Sequence, residues 1–78
     1  MADIGTSLVR PQPRCDETGT LVMDGSVPIL RRDGGGRWRL DLRRAGTIWA
    51  EARIRVRGVL VEPDLVDVDE IAVERVLR

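Results

Sequence analysis

The amino-acid sequence predicts an all-β fold: a small five-stranded Greek-key barrel with one short helical connector between its third and fourth strands. Three observations predict it. The stretch Ala52–Ile71 alternates apolar and charged residues with period two on both sides of Glu62-Pro63-Asp64, the pattern of a hairpin half-buried on one face. Upstream, Thr18–Asp24, Ser26–Arg32 and Arg37–Leu42 read as strands, separated by Asp24-Gly25 and Asp33-Gly34-Gly35-Gly36, both turn signals. Between the third and fourth strands, Arg43–Glu51 is the one internal stretch without strand character.

Each element has its own justification. Met1–Glu17 holds two prolines and no sustained period, so residues 1–17 are expected to form a flexible arm. The barrel domain is expected over residues 18–71. Leu21 and Met23 share one face of the first strand. In the second, Pro28 has no amide hydrogen to donate, which places that strand at an edge or on a bulge. The three glycines after Asp33 suggest a phosphate loop only if they open a helix. Arg37–Leu42 follows at once with Trp38, Leu40 and Leu42 alternating against Arg37, Arg39 and Asp41, so they form a plain turn. Ala45, Ile48, Trp49 and Ala52 recur at helical spacing, predicting a short helix near residues 45–51 that Gly46 weakens.

In the closing hairpin, Ile54 and Val56 face the core while Arg53, Arg55 and Arg57 face solvent. Val66 and Val68 likewise alternate with Asp67 and Asp69. Antiparallel folding predicts a cross-strand salt-bridge face in which Arg55 opposes Asp67 or Asp69. Residues 72–78 are expected to form a short tail, with Val73, Val76 and Leu77 at helical spacing but too few residues to hold a helix unaided. The expected core is Leu21, Met23, Val27, Ile29, Trp38, Leu40, Leu42, Trp49, Ile54, Val56, Val66, Val68 and Ile71. Five strands with a helical connector after the third is the order of the OB-fold, a five-stranded Greek-key barrel.

The motifs T-G-T-L-V at 18–22, L-R-R-D-G-G-G-R-W-R-L-D at 30–41, and R-I-R-V-R-G with D-L-V-D-V-D-E-I between 53 and 71 resemble a family of short, uncharacterised bacterial domains. The second half is also similar to the last two strands of bacterial OB-fold domains, where a basic-apolar alternation ends in glycine, here Gly58. The resemblance covers Thr18 to Ile71 and implies a framework with no catalytic residue to carry over. The chain departs from it where a glycine commonly precedes the fourth strand, here Glu51-Ala52. It departs again where a glycine-aromatic pair commonly precedes the fifth, here Glu62-Pro63.

Composition narrows the chemistry. The 78 residues include 13 arginines and 13 acids, no lysine and no histidine, so the net charge is zero and no whole-chain field advertises a polyanionic partner. Residues 1–57 carry 11 Arg against 7 acids, and residues 58–78 carry 2 against 6, an asymmetry that side-by-side pairing of the last two strands cancels. Zinc sites draw on Cys and His. With one cysteine, Cys15, and no histidine, no metal and no cofactor are expected. Ser7, Cys15 and Ser26 have no imidazole or amine to activate them, which argues against nucleophilic catalysis and for a non-enzymatic protein. Asp67 and Asp69 share a strand face, but carboxylates opposite arginines stay ionised and make poor acids.

The lone cysteine and the lack of a secretory or membrane-spanning apolar run favour a cytoplasmic setting with no membrane partner. The expected function is a small binding module whose partner is another protein or a second copy of itself, for example through an open strand edge. The alternative is weak binding of single-stranded nucleic acid through Arg37, Arg39, Arg43 and Arg44, on the third strand and its exit. With only Trp38 and Trp49 as aromatics, and both expected in the core, stacking is poorly supplied.

Overall fold

The structure is a computed structural model and describes residues 13–46 and 51–77. Five strands run in chain order: β1 Arg14–Asp24, β2 Val27–Arg32, β3 Arg37–Asp41, β4 Ala52–Glu62 and β5 Leu65–Val76. They close into a barrel in the order β1-β2-β3-β5-β4, and β4 returns to β1. All pairings are antiparallel except β3 with β5, a short parallel ladder joining Arg39 to Leu65, Leu40 to Val66 and Asp41 to Asp67.

Period-two alternation fills the interior. Leu21, Leu30, Leu40, Leu42, Ala52, Ile54, Val56, Val66 and Val68 form the buried cluster, with Trp38, Leu60 and Ile71 packed against it. Leu30 is fully buried opposite Leu21, although the sequence pattern favours its neighbour Ile29. Both are buried: Leu30 lies in the core cluster, and Ile29, facing the other side, sits between Val22 and Arg39 of the neighbouring strands. Val27, expected in the core, is 42% exposed where β2 begins. Met23 is half-buried, and Trp49 lies outside the described residues.

Two glycines allow the strands to meet. A Cβ on Gly19 would fall inside contact of the Arg31 carbonyl oxygen, and one on Gly58 inside contact of the Asp67 carbonyl oxygen. Gly19 lies where the β1–β2 and β1–β4 ladders overlap, so it has a strand on each side.

Four expectations are corrected. First, β1 starts at Arg14 rather than Thr18, because Arg14–Thr18 pairs along Val59–Arg55 of β4; the segment 14–17 is barrel, not arm. Second, β5 continues as strand to Val76, so the tail is neither helical nor loose there. Third, the described part of the connector is not helical. Arg43–Ala45 is a turn in which the Gly46 N–H donates to the Leu42 carbonyl at 2.9 Å, and Gly46, at φ 101°, takes the left-handed conformation that stops it. No helix occurs among the described residues, and the rest of the connector, 47–50, lies outside them.

Fourth, the register of the hairpin differs. Glu62 pairs with Leu65, so the turn is the two residues Pro63-Asp64. Counting back from it puts Arg57 opposite Glu70 and Arg55 opposite Ala72, while Asp67 meets Val59. Three register shifts leave Val61, Asp69 and Glu74 as extra residues at bulges. The Asp69 bulge also shifts the face alternation, which lets Val68 and Ile71, three apart, both reach the core.

Candidate functional site: a cleft beside the third strand

A concavity of about 410 Å³ opens between the β1–β2 turn and the start of β5. Met23, Val27, Pro28, Leu40, Leu42 and Leu65 give it an apolar lining, with Arg39, Asp41 and Arg43 along one wall. Its position follows from the topology. β2 pairs with β3 only from Ile29 onward, so Val27 and Pro28 stand past the end of that ladder, and Pro28 costs the sheet no β3 hydrogen bond. Leu40 and Leu42, 4% and 6% exposed, form a floor continuous with the core.

The arginines expected to grip phosphate are arranged differently from a free basic patch. Arg39 donates from Nη2 to Asp64 Oδ1 at 2.8 Å and to Glu62 Oε1 at 2.9 Å, tying β3 to the β4–β5 turn. The Arg39 backbone N–H donates to the Asp64 carbonyl at 2.7 Å, so main chain and side chain fasten the same turn. Arg43 forks onto Asp41, with Nη2 to Oδ2 at 2.6 Å and Nε to Oδ1 at 2.9 Å. Arg44 approaches Asp67 at 3.5 Å. Arg37 is exposed and has no ion pair among the described residues. Three of the four are thus matched by carboxylates of the chain.

These pairs leave their mark on acidity. The Arg43 hydrogen bonds hold Asp41 below the usual carboxylate range, and Arg39 does the same to Asp64. Asp41 and Asp64 are therefore both held in the ionised form at neutral pH.

The fourth-strand arginines do form salt bridges, but not with Asp67 and Asp69. Arg53 forks onto Asp33 in the β2–β3 turn at 2.7 and 2.6 Å. Arg55 forks onto Asp16 of β1 at 2.8 and 2.7 Å, and Arg57 reaches the same Asp16 at 3.4 Å and Glu70 at 3.2 Å. Asp16, hydrogen-bonded chiefly by Arg55, has its pKa lowered from 3.8 to about 2. Asp67 serves Arg44, and Asp69 serves Arg14 at 2.9 Å. The physical reason is the early start of β1, which lays Asp16 directly beside Arg57 and diagonal to Arg55. The polar run Arg14-Cys15-Asp16-Glu17 carries no apolar period that would mark it as a strand.

Trp38 is half-buried against the core, and the Arg32 guanidinium lies 4.0 Å from its ring centroid. One of its faces is therefore already occupied. Cys15 is a free thiol, half-buried, and burial pushes its pKa up.

Neither a curated protein nor a solved structure matches the chain. A family model described as protein of unknown function, DUF5818, matches residues 18–73, from the middle of β1 to near the end of β5. The chain belongs to the DUF5818 family.

Proposed function

We propose that this chain is a non-catalytic binding module of OB-like type whose partner is a protein. The strand order β1-β2-β3-β5-β4 with β3 parallel to β5 supports the OB-like reading. Barrels of that type present the β2–β3 face and the turns β1–β2 and β4–β5 to their ligands, and the cleft runs from the β1–β2 turn to Leu65, the first residue after the β4–β5 turn. The observation that carries the proposal is the cleft's composition: an apolar floor and rim, beside arginines already matched by carboxylates. Such a surface suits an apolar side chain presented by a polypeptide.

The reading of Arg37, Arg39, Arg43 and Arg44 as a nucleic-acid patch has less support. Binding phosphates there requires Arg39 and Arg43 to exchange a bidentate internal partner for an external one.

A photo-cross-linking residue at Val27, on the cleft rim, tests the proposal in cells of the native source, with the same residue at Gly34 on the far turn as control. The proposal expects a protein adduct from position 27 that disappears when Leu65 is changed to Asp, and none from position 34. Adducts from neither position, or equally from both, contradict it.

A further inference from the structure

The lower half of β1 is paired on one side. Arg14–Thr18 lies along β4, whereas the β1–β2 ladder begins only at Gly19. Two hydrogen bonds fix which way the main chain of this segment points. The Pro13 carbonyl accepts the Leu60 N–H on the β4 side, and the Thr18 carbonyl accepts the Asp33 N–H on the other. Along an antiparallel strand the main-chain groups of successive residues turn to alternate sides. Cys15 and Glu17 therefore turn toward β4. The N–H and C=O of Arg14 and Asp16 point outward, where no strand meets them among the described residues. The β1–β4 ladder behind them runs without a register shift. The part of β5 beyond its ladder with β3 differs, because bulges at Asp69 and Glu74 break its regularity, a device that blunts a sheet edge.

We propose that this edge is a self-association surface: Arg14–Asp16 pairs antiparallel with the same segment of a second copy, about a two-fold axis at Cys15. The proposal goes beyond the cleft and concerns a different surface. In that register Arg14 of each copy lies opposite Asp16 of the other, and their outward main-chain groups exchange N–H···O bonds. The two side chains, 63% and 43% exposed, share the solvent face, so each copy's guanidinium meets the other's carboxylate, twice by symmetry. Both have capacity left. Asp16 accepts from Arg55 Nε, Arg55 Nη2 and Arg57 Nε, against about four lone-pair sites on a carboxylate. Arg14 commits Nη1 to Asp69 and keeps its other donors. Neighbouring registers fail. An axis at Arg14 or at Asp16 sets like charges opposite each other, and a one-residue slip turns the outward groups against residues that face away. Charge and main chain thus select one register, and the segment that satisfies both is the segment itself. Because Asp33 already holds the Thr18 carbonyl, the shared ladder ends there and the association is weak.

Amide hydrogen exchange of the full chain, read by NMR at rising protein concentration, tests the pairing. The Arg14 and Asp16 amides should become protected as concentration rises, while those of Cys15 and Glu17, bonded within the barrel, should not change. Cys15 gives an independent readout. Opposed residues that share no hydrogen bonds have Cα atoms about 4.5 Å apart, within the span of a disulfide. Diamide, which takes up the two hydrogens that a pair of thiols loses, should therefore trap a Cys15–Cys15 dimer. It should do so faster than in Cys15→Ser/Ser26→Cys, whose thiol sits in an exposed turn, although Cys15 is half-buried. Arg14→Glu should slow the trapping by about tenfold, since both symmetry-related pairs turn repulsive, and Arg14→Gln should slow it by less. Circular dichroism confirms that each variant is folded. Arg14 and Asp16 amides unprotected at every concentration overturn the proposal. Full protection already at the lowest concentration also overturns it and assigns the edge to another segment of the same chain. Trapping as fast at Ser26→Cys, or unchanged by Arg14→Glu, overturns it as well. Cross-linking at Val27 is untouched by any of these results, so the two surfaces stand or fall separately.

Discussion

Gly58 and Gly19 are the residues with least freedom to change. Each is a strand residue whose missing Cβ lets a neighbouring carbonyl oxygen come close. Gly58→Ala must push β4 away from β5 in the middle of their ladder and is expected to destabilise the barrel by about 1–3 kcal/mol or more, read by urea denaturation. Leu30→Ala, at a fully buried position, should cost about 2–5 kcal/mol in the same assay. Asp16 sets a third expectation. Its folded pKa is about 2 against an ordinary 3.8, so its contribution is complete above the ordinary value and is lost as pH falls through the folded one. Asp33, Asp41 and Asp64 are lowered in the same direction by Arg53, Arg43 and Arg39. Stability should therefore decline on acidification from about pH 4 to pH 2, and Asp16→Asn should make that decline shallower while lowering stability at neutral pH. An unchanged acid limb in Asp16→Asn would show that the Arg55–Asp16 pair does not form in solution.

The β4–β5 hairpin shows what can and cannot be read from alternation. Which residues face inward was legible: Ile54, Val56, Val66 and Val68 are all buried where period two puts them. Which residue faces which was not, because each bulge inserts one residue that alternation cannot count. Val61, Asp69 and Glu74 are polar or β-branched residues with nothing in their identity to mark them as extra. The face of Arg53, Arg55 and Arg57 is ion-paired, but Arg53 and Arg55 draw their partners from the β2–β3 turn and β1, and Arg57 alone also reaches across the hairpin, to Glu70. An expectation follows at this scale. Asp67→Asn with Asp69→Asn removes only the exposed pairs to Arg44 and Arg14 and should cost about 0.2–1 kcal/mol for each pair. Outright unfolding of the double variant would contradict the register.

The whole molecule is a closed barrel of five strands, and closure depends on two ladders that local sequence signals do not announce. One is the lower half of β1 on β4, built from the polar segment Arg14–Thr18. A chain beginning at Thr18 should be markedly less stable to heat than one beginning at Pro13, since it loses that ladder and the Asp16 pairs. The other is the parallel β3–β5 ladder, which also sets the cleft between β3 and the start of β5. Strand count and turn positions were legible because glycine and proline mark the ends. Closure was legible only as an inference from order, since pairing between distant strands is fixed by the packed core and not by any local residue. Nuclear Overhauser contacts between the main chains of Leu40 and Val66 test that closure most directly. The barrel predicts them in the parallel pattern, together with antiparallel contacts between Cys15 and Gly58. Contacts from β5 to β4 alone, with none to β3, would describe an open sheet and contradict both the barrel and the cleft it builds.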